Sequence, residues 1–155
     1  MDARTALLCV RLAQFLNTGR WGVTAIYWGG LGIGGGVAID QHAKGFALDF
    51  HGADTNAGTI NVAKDWGGHR INLPDGTTAP IWPPGVAPYF RLDVDTPAGG
   101  FFYDVYHFLT GEAADGAGAS GPTSIGDHSF ILHPDTPDRV QLPKHQNHIH
   151  CEIDR

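Results

Sequence analysis

Two clusters of residues have side chains that bind metal ions or transfer protons. The first is His42-Ala43-Lys44-Gly45-Phe46-Ala47-Leu48-Asp49, and the second is His145-Gln146-Asn147-His148-Ile149-His150. The chain has nine histidines in 155 residues, which is more than a hydrophobic core needs. His51, His69 and His133 follow no pattern, and no role is predicted for them. The two clusters are therefore the candidates for chemistry.

The second cluster has the alternation of a β-strand, in which residues two apart share a face. One face would carry His148, His150 and Glu152, and the other would carry Ile149, Cys151 and Ile153. The histidines are expected to face a site and the aliphatic residues a core. Cys151 is then a small buried hydrophobic residue. Glu152 is expected to be a solvated residue at the edge, with a carboxylate that supports a metal ligand as the alternative.

The first cluster can act as a unit only if the chain reverses within it. A turn at Lys44-Gly45 is expected to bring His42 back toward Asp49 on the following strand. With a histidine of the second cluster, these residues make a set of two imidazoles and one carboxylate that suits zinc. Three protein ligands leave a position for water, which zinc activates at neutral pH. His145 and His148 are the candidates for the base, because histidine titrates near neutral pH.

The spacing of both clusters resembles one group of zinc peptidases. His42-x-x-Gly45-x-Ala47-x-Asp49, followed by a late His148-x-His150, is similar to the pattern of zinc peptidases with a Hedgehog-like fold. The group includes D-Ala-D-Ala carboxypeptidases, phage L-alanyl-D-glutamate endopeptidases, penicillin-insensitive murein endopeptidases and extensin-like C-terminal domains. The pattern His145-x-x-His148-x-His150 most resembles the last two branches. Asn147 stands where carboxypeptidase-like members have a glutamate.

The resemblance implies zinc ligands at His42, Asp49 and His150, with His145 or His148 as the catalytic base. It implies an α+β fold, a small antiparallel sheet flanked by helices and long structured loops, as in the Hedgehog and D-Ala-D-Ala peptidase folds. The implied activity is hydrolysis of peptide bonds in bacterial peptidoglycan, as an endopeptidase or a carboxypeptidase. Such an enzyme acts in the periplasm or on the cell wall after export or injection, with a delivery protein or a larger parent chain as a possible partner.

Local patterns predict the elements that must hold these residues. Apolar residues at helical spacing predict an amphipathic helix over residues 1–16, stopped by Asn17-Thr18-Gly19. Strands are predicted at residues 23–28, 45–50, 140–142 and 148–153. Residues 101–109 fit a buried helix or a buried strand, and residues 29–36, 52–97 and 113–121 are predicted to be loops or irregular. Trp66, Trp82 and Tyr89 are expected to wall a substrate groove.

Length and composition predict one soluble globular domain over residues 1–155. No signal peptide is predicted, and no stretch approaches the roughly 20 apolar residues that cross a bilayer. The net charge of −6 argues against a nucleic-acid partner, because phosphates require a basic surface. Two cysteines, Cys9 and Cys151, are too few for a disulfide framework, and their pairing stays open.

Two other functions remain open beside a zinc metallopeptidase. A zinc-dependent binding module would use the same ligands without turnover. His145 and His148 favour an enzyme over such a module, because binding alone needs no additional base. A toxin amidohydrolase acting on a substrate outside the cell wall would share the zinc chemistry, and the negative net charge is compatible with it.

Overall fold

The computed structural model describes residues 1–30, 41–66, 70–72, 78–80, 95–117, 131–134 and 147–153. The helices are α1 (Ala3–Thr18), α2 (Gln41–Lys44), α3 (Val62–Asp65) and α4 (Pro97–Ala117). The strands are β1 (Ala25–Gly29), β2 (Ala47–Thr55), β3 (Gly58–Asn61), β4 (Arg70–Asn72), β5 (Thr78–Pro80), β6 (Ile131–Leu132) and β7 (Ile149–Glu152). The class is α+β with a small open antiparallel sheet, as predicted. The Hedgehog-like fold in particular stays a prediction.

Strand β2 is the centre of the main sheet. It pairs with β1 on one side and, on the other, with β7 along its first half and β3 along its second half. Strand β7 pairs in turn with β6, and every pairing is antiparallel. The predicted strand at residues 148–153 is therefore confirmed as β7, whereas residues 140–142 lie outside the described residues. Strands β4 and β5 form a separate pair.

Helix α1 confirms the amphipathic helix predicted for the N-terminal segment. Asp2 caps it by accepting a hydrogen bond from the Arg4 amide at 2.9 Å. Leu8, Leu12 and Leu16 recur every four residues and are buried in the core. Its first turn is also tied to the segment before β2, because the Asp2 amide donates to the Gly45 carbonyl at 3.0 Å. Helix α1 thus fixes the chain where the first cluster reverses.

Helix α4 decides between the two structures predicted for residues 101–109. Phe101, Phe102, Val105 and Leu109 are fully buried and form one stripe of a helix. They pack with α1 against the apolar face of the sheet, which Leu48, Phe50, Ile149 and Cys151 provide. The loop predicted from residue 113 is wrong up to Ala117, because this alanine-rich segment continues α4. None of the described helices is both long and apolar enough to cross a membrane.

The irregular segment predicted to begin at residue 52 is also wrong in its first part. Strand β2 continues to Thr55, and a tight turn leads into β3. The Thr55 hydroxyl holds this turn by donating to the Gly58 carbonyl at 2.8 Å. Ile60 of β3 is buried, and Asn61 caps α3. A short hairpin therefore extends the central strand beyond the candidate site.

Candidate metal centre

His42 reaches the sheet through a turn, as the sequence predicts. It lies on α2, and its carbonyl accepts a hydrogen bond from the Gly45 amide at 2.9 Å. Gly45 has a φ of 78°, a left-handed conformation that glycine adopts without steric cost. A Cβ at this position would also come within 2.8 Å of the Asp2 amide nitrogen. The glycine therefore permits both the reversal and the close approach of α1.

Asp49 and His150 are direct partners on neighbouring strands, so their side chains lie on the same face of the sheet. Asp49 Oδ1 lies 2.8 Å from His150 Nδ1 and 3.3 Å from His42 Nε2. His42 Nε2 and His150 Nδ1 are 3.1 Å apart. Tetrahedral zinc with bonds of about 2.0–2.1 Å places neighbouring ligand atoms about 3.3 Å apart. The three residues therefore fit one metal ion.

In both histidines, the ring nitrogen that faces away from Asp49 donates a hydrogen bond to an oxygen atom. His42 Nδ1 donates to the Gly30 carbonyl, and His150 Nε2 donates to Glu152 Oε1 at 3.0 Å. Metal-binding histidines usually make such a bond, because it leaves the other nitrogen with its lone pair directed at the metal. The Glu152 side chain is only 13% exposed. The expectation of a solvated edge residue is therefore wrong, and the contact with His150 agrees with the alternative of a supporting carboxylate.

The electrostatics favour a charged carboxylate at the centre. Burial alone would raise the pKa of Asp49, but hydrogen bonds from His150 and His42 outweigh it and hold that pKa well below the usual range. Burial would lower the pKa of His150, but its bonds to Asp49 and Glu152 raise that pKa instead. Asp49 is therefore an anionic group at neutral pH, in a partly buried position where charge interactions are strong.

His148 also faces Asp49, and His51 lies beside it. His148 Nε2 is 3.4 Å from Asp49 Oδ1, and the His148 and His51 ring centroids are 5.3 Å apart. No role is predicted for His51 from the sequence, but the structure places its ring beside that of His148. His51 follows Asp49 by two residues on β2 and so lies on the same face. That alternation was readable in the sequence. His145, the other candidate base, lies outside the described residues.

Two glycines at the end of β1 provide the space that the side chains of Asp49, His42 and His51 occupy. Gly30 has a φ of 60°, and a Cβ there would lie 2.5 Å from both Asp49 Oδ2 and His42 Cε1. A Cβ at Gly29 would overlap the ring of His51. The end of β1 thus approaches the ligands so closely that no side chain fits.

The two cysteines and Trp66 lie away from the candidate metal centre. Cys151 is fully buried, and burial raises the pKa of its thiol to about 12, as expected for an inert core residue. Cys9 and Cys151 are both free thiols. The groove predicted for Trp66 is wrong, because its ring is buried against Phe102 and His133. Trp82 and Tyr89 lie outside the described residues.

Comparison with models of protein families, with curated proteins and with solved structures gives no match. The assignment of the site therefore rests on its geometry. His42, Asp49 and His150 can hold a metal ion, because their ligand atoms lie within 4.8 Å of one another. These three were the ligands expected from the sequence.

Proposed function

We propose that this protein is a zinc-dependent hydrolase and that His42, Asp49 and His150 hold the metal. One observation carries the proposal: each histidine directs one ring nitrogen at Asp49 and donates a hydrogen bond from the other ring nitrogen. The acceptors are the Gly30 carbonyl for His42 and the Glu152 carboxylate for His150. The three atoms that meet there are 2.8, 3.1 and 3.3 Å apart, which is close to the spacing of neighbouring ligand atoms around tetrahedral zinc. A catalytic zinc site has this composition, with three protein ligands and a remaining coordination position.

The ligand set favours zinc over harder cations. Calcium and magnesium prefer oxygen ligands, whereas two imidazoles and one carboxylate suit zinc. Bound zinc polarises a carbonyl and lowers the pKa of a water molecule to about 7. The negative charge of Asp49 would partly neutralise the bound ion. The Glu152 carboxylate also makes the His150 ring more basic, which strengthens it as a ligand.

His148 is the residue we propose for proton transfer. Its Nδ1 donates to Asn147 Oδ1 at 2.7 Å, so in the neutral ring the lone pair is on Nε2, which faces Asp49. The side chain is 11% exposed, which keeps the group beside the metal site and away from bulk water. His145 is the alternative base, by resemblance alone. Asn147, at the position of the family's glutamate, then orients a base and does not itself accept a proton.

The substrate we propose is a peptide bond in peptidoglycan, in the stem or in a crosslink. This part of the proposal is supported by the spacing of the two clusters, which resembles that of zinc peptidases acting on D-amino acids. The protein would then act in the periplasm or on the cell wall. A binding module remains the alternative if zinc binds without turnover, and a toxin amidohydrolase remains if only a substrate outside the cell wall is cleaved.

Digestion of purified peptidoglycan tests the function. The zinc-loaded protein is expected to release amino groups without releasing reducing sugars, and a chelator should abolish the reaction until zinc is restored. Mass analysis should find a new terminus at a bond to meso-diaminopimelate or D-alanine. Reducing ends would mean cleavage of the glycan and would refute the peptidase. Sedimentation with insoluble peptidoglycan, with no product, would favour the binding module.

A further inference from the structure

Asp49 belongs to a second set of possible metal ligands. Asp49, His51 and His148 each offer one ligand atom, and these atoms lie within 4.8 Å of one another. Among the described residues, this set and the first share Asp49 alone. His51 follows Asp49 by two residues, and His148 precedes His150 by two residues, so the second set lies one step along the same face of the sheet.

Asn147 orients both histidines of the second set. Its backbone carbonyl accepts a hydrogen bond from His51 Nδ1 at 3.1 Å, and its side-chain oxygen accepts one from His148 Nδ1 at 2.7 Å. In their neutral form both rings then have the lone pair on Nε2. This is the same arrangement of an oxygen, an imidazole and a metal-facing nitrogen that the first set has. A residue with two separate acceptors thus prepares two imidazoles at once.

Gly29 provides the space that an ion between these groups needs. It pairs with Asp49 across β1 and β2, so a side chain there would project onto the site face. A Cβ at Gly29 would overlap His51 Nε2, the nitrogen with the lone pair. The positive-φ glycines include Gly30 and do not include Gly29. The requirement at Gly29 is therefore for space and not for a special backbone conformation.

We propose that Asp49, His51 and His148 bind a second zinc ion beside the first, with Asp49 bridging the two, and that this ion inhibits the enzyme. Bridging by a carboxylate is common in two-metal sites, where the ions are about 3.5–4 Å apart. The second ion binds on the order of tenfold or more weakly than the first, because two divalent cations repel each other. The inhibition rests on the proposed function, since the ion occupies the lone pair with which His148 would move a proton.

Metal counting over a series of zinc concentrations tests the site. Metal-free protein is dialysed against limiting and excess zinc, and bound zinc is measured by atomic emission. The wild type should bind one ion at limiting zinc and two in excess. His51→Ala should bind only one at either concentration, because a ligand is missing. Gly29→Ala should also bind only one, because its methyl group displaces His51 while every ligand remains.

A matched control and an activity measurement complete the experiment. His107→Ala removes an exposed histidine of α4 and should still bind two ions. Activity of the wild type should rise with the first equivalent of zinc and fall with the second, and the fall should be absent in His51→Ala. The Co²⁺ absorption spectrum gives an independent count of the ions.

The outcomes separate the second site from the proposed function. A wild type that binds only one ion in excess zinc refutes the second site and leaves the first intact. A wild type that binds no ion refutes the proposed function. Two ions in both the wild type and His51→Ala would refute the assignment to His51. Two ions without loss of activity would refute the inhibition.

Discussion

Replacement of Glu152 by glutamine tests whether the orientation of His150 serves metal binding. Glutamine keeps the length and an acceptor oxygen but removes the charge that faces His150 Nε2 at 3.0 Å. Full loss of such an outer partner, as in Glu152→Ala, weakens metal binding about 10–100-fold, which corresponds to about 1.4–2.7 kcal/mol and is the upper limit for glutamine. A hydrogen bond to a charged group is worth about 1.5–3 kcal/mol, so the two magnitudes agree. Solvent screens the bond little, because the side chains of His150 and Glu152 are 6% and 13% exposed.

The assay is a competition between the protein and a chromophoric zinc chelator. Glu152→Gln should shift the zinc dissociation constant upward, and Glu152→Ala should shift it further because it leaves no acceptor for His150. Asp95→Asn removes a carboxylate before α4 and serves as the control, with no shift expected. Circular dichroism checks that each variant is folded. Unchanged zinc affinity in both Glu152 variants would refute the role of this carboxylate and weaken the interpretation of the site.

Three further predictions concern the base, the response to acid and the close approach of β1. His148→Ala should keep zinc and lose about 10²–10⁴-fold in turnover, and a wild-type rate would transfer the role to His145. Burial lowers the pKa of His133 to about 3 from 6.5, so the unfolded state binds more protons between these pH values. The free energy of unfolding should therefore fall as the pH drops from about 6.5 to 3, by up to about 1.4 kcal/mol per pH unit, in denaturant titrations; a slope unchanged in His133→Phe would contradict this. Gly30→Ala should lower zinc occupancy in metal analysis, because its methyl group would overlap two ligands; full occupancy would contradict the packing.

Two of the three candidate ligands were predictable because their meeting depends on local geometry. The turn at Gly45 and the two-residue period of strands bring His42 and Asp49 together from a segment of eight residues. The two-residue period also separates His150 from Cys151. That His150 joins these two residues had to be taken from the resemblance, because no local pattern specifies which strands become neighbours. His42 and Asp49 were therefore predictable as a pair from the sequence, whereas their contact with His150 depends on the fold.

The residues around the ligands were harder to predict because their roles depend on that pairing. The sequence alone favours a solvated position for Glu152, and only the structure shows its contact with the buried His150. His51 has no neighbouring motif, and only its register with the segment before β7 brings it close to His148. Trp66 was expected beside a groove because aromatic residues often line one, but α4 supplies enough apolar surface to bury it. Tertiary packing therefore decided these cases.

The most direct test of the central claim is the zinc content of the protein after dialysis against a low zinc concentration that fills only the tighter site. The wild type should carry about one zinc ion per chain, and His42→Ala, Asp49→Ala and His150→Ala should each lose most of it, because each removes one of three ligands. His107→Ala is the control and should retain the metal. Zinc content that stays at the wild-type level in all three ligand variants would contradict the site and, with it, the proposed hydrolase.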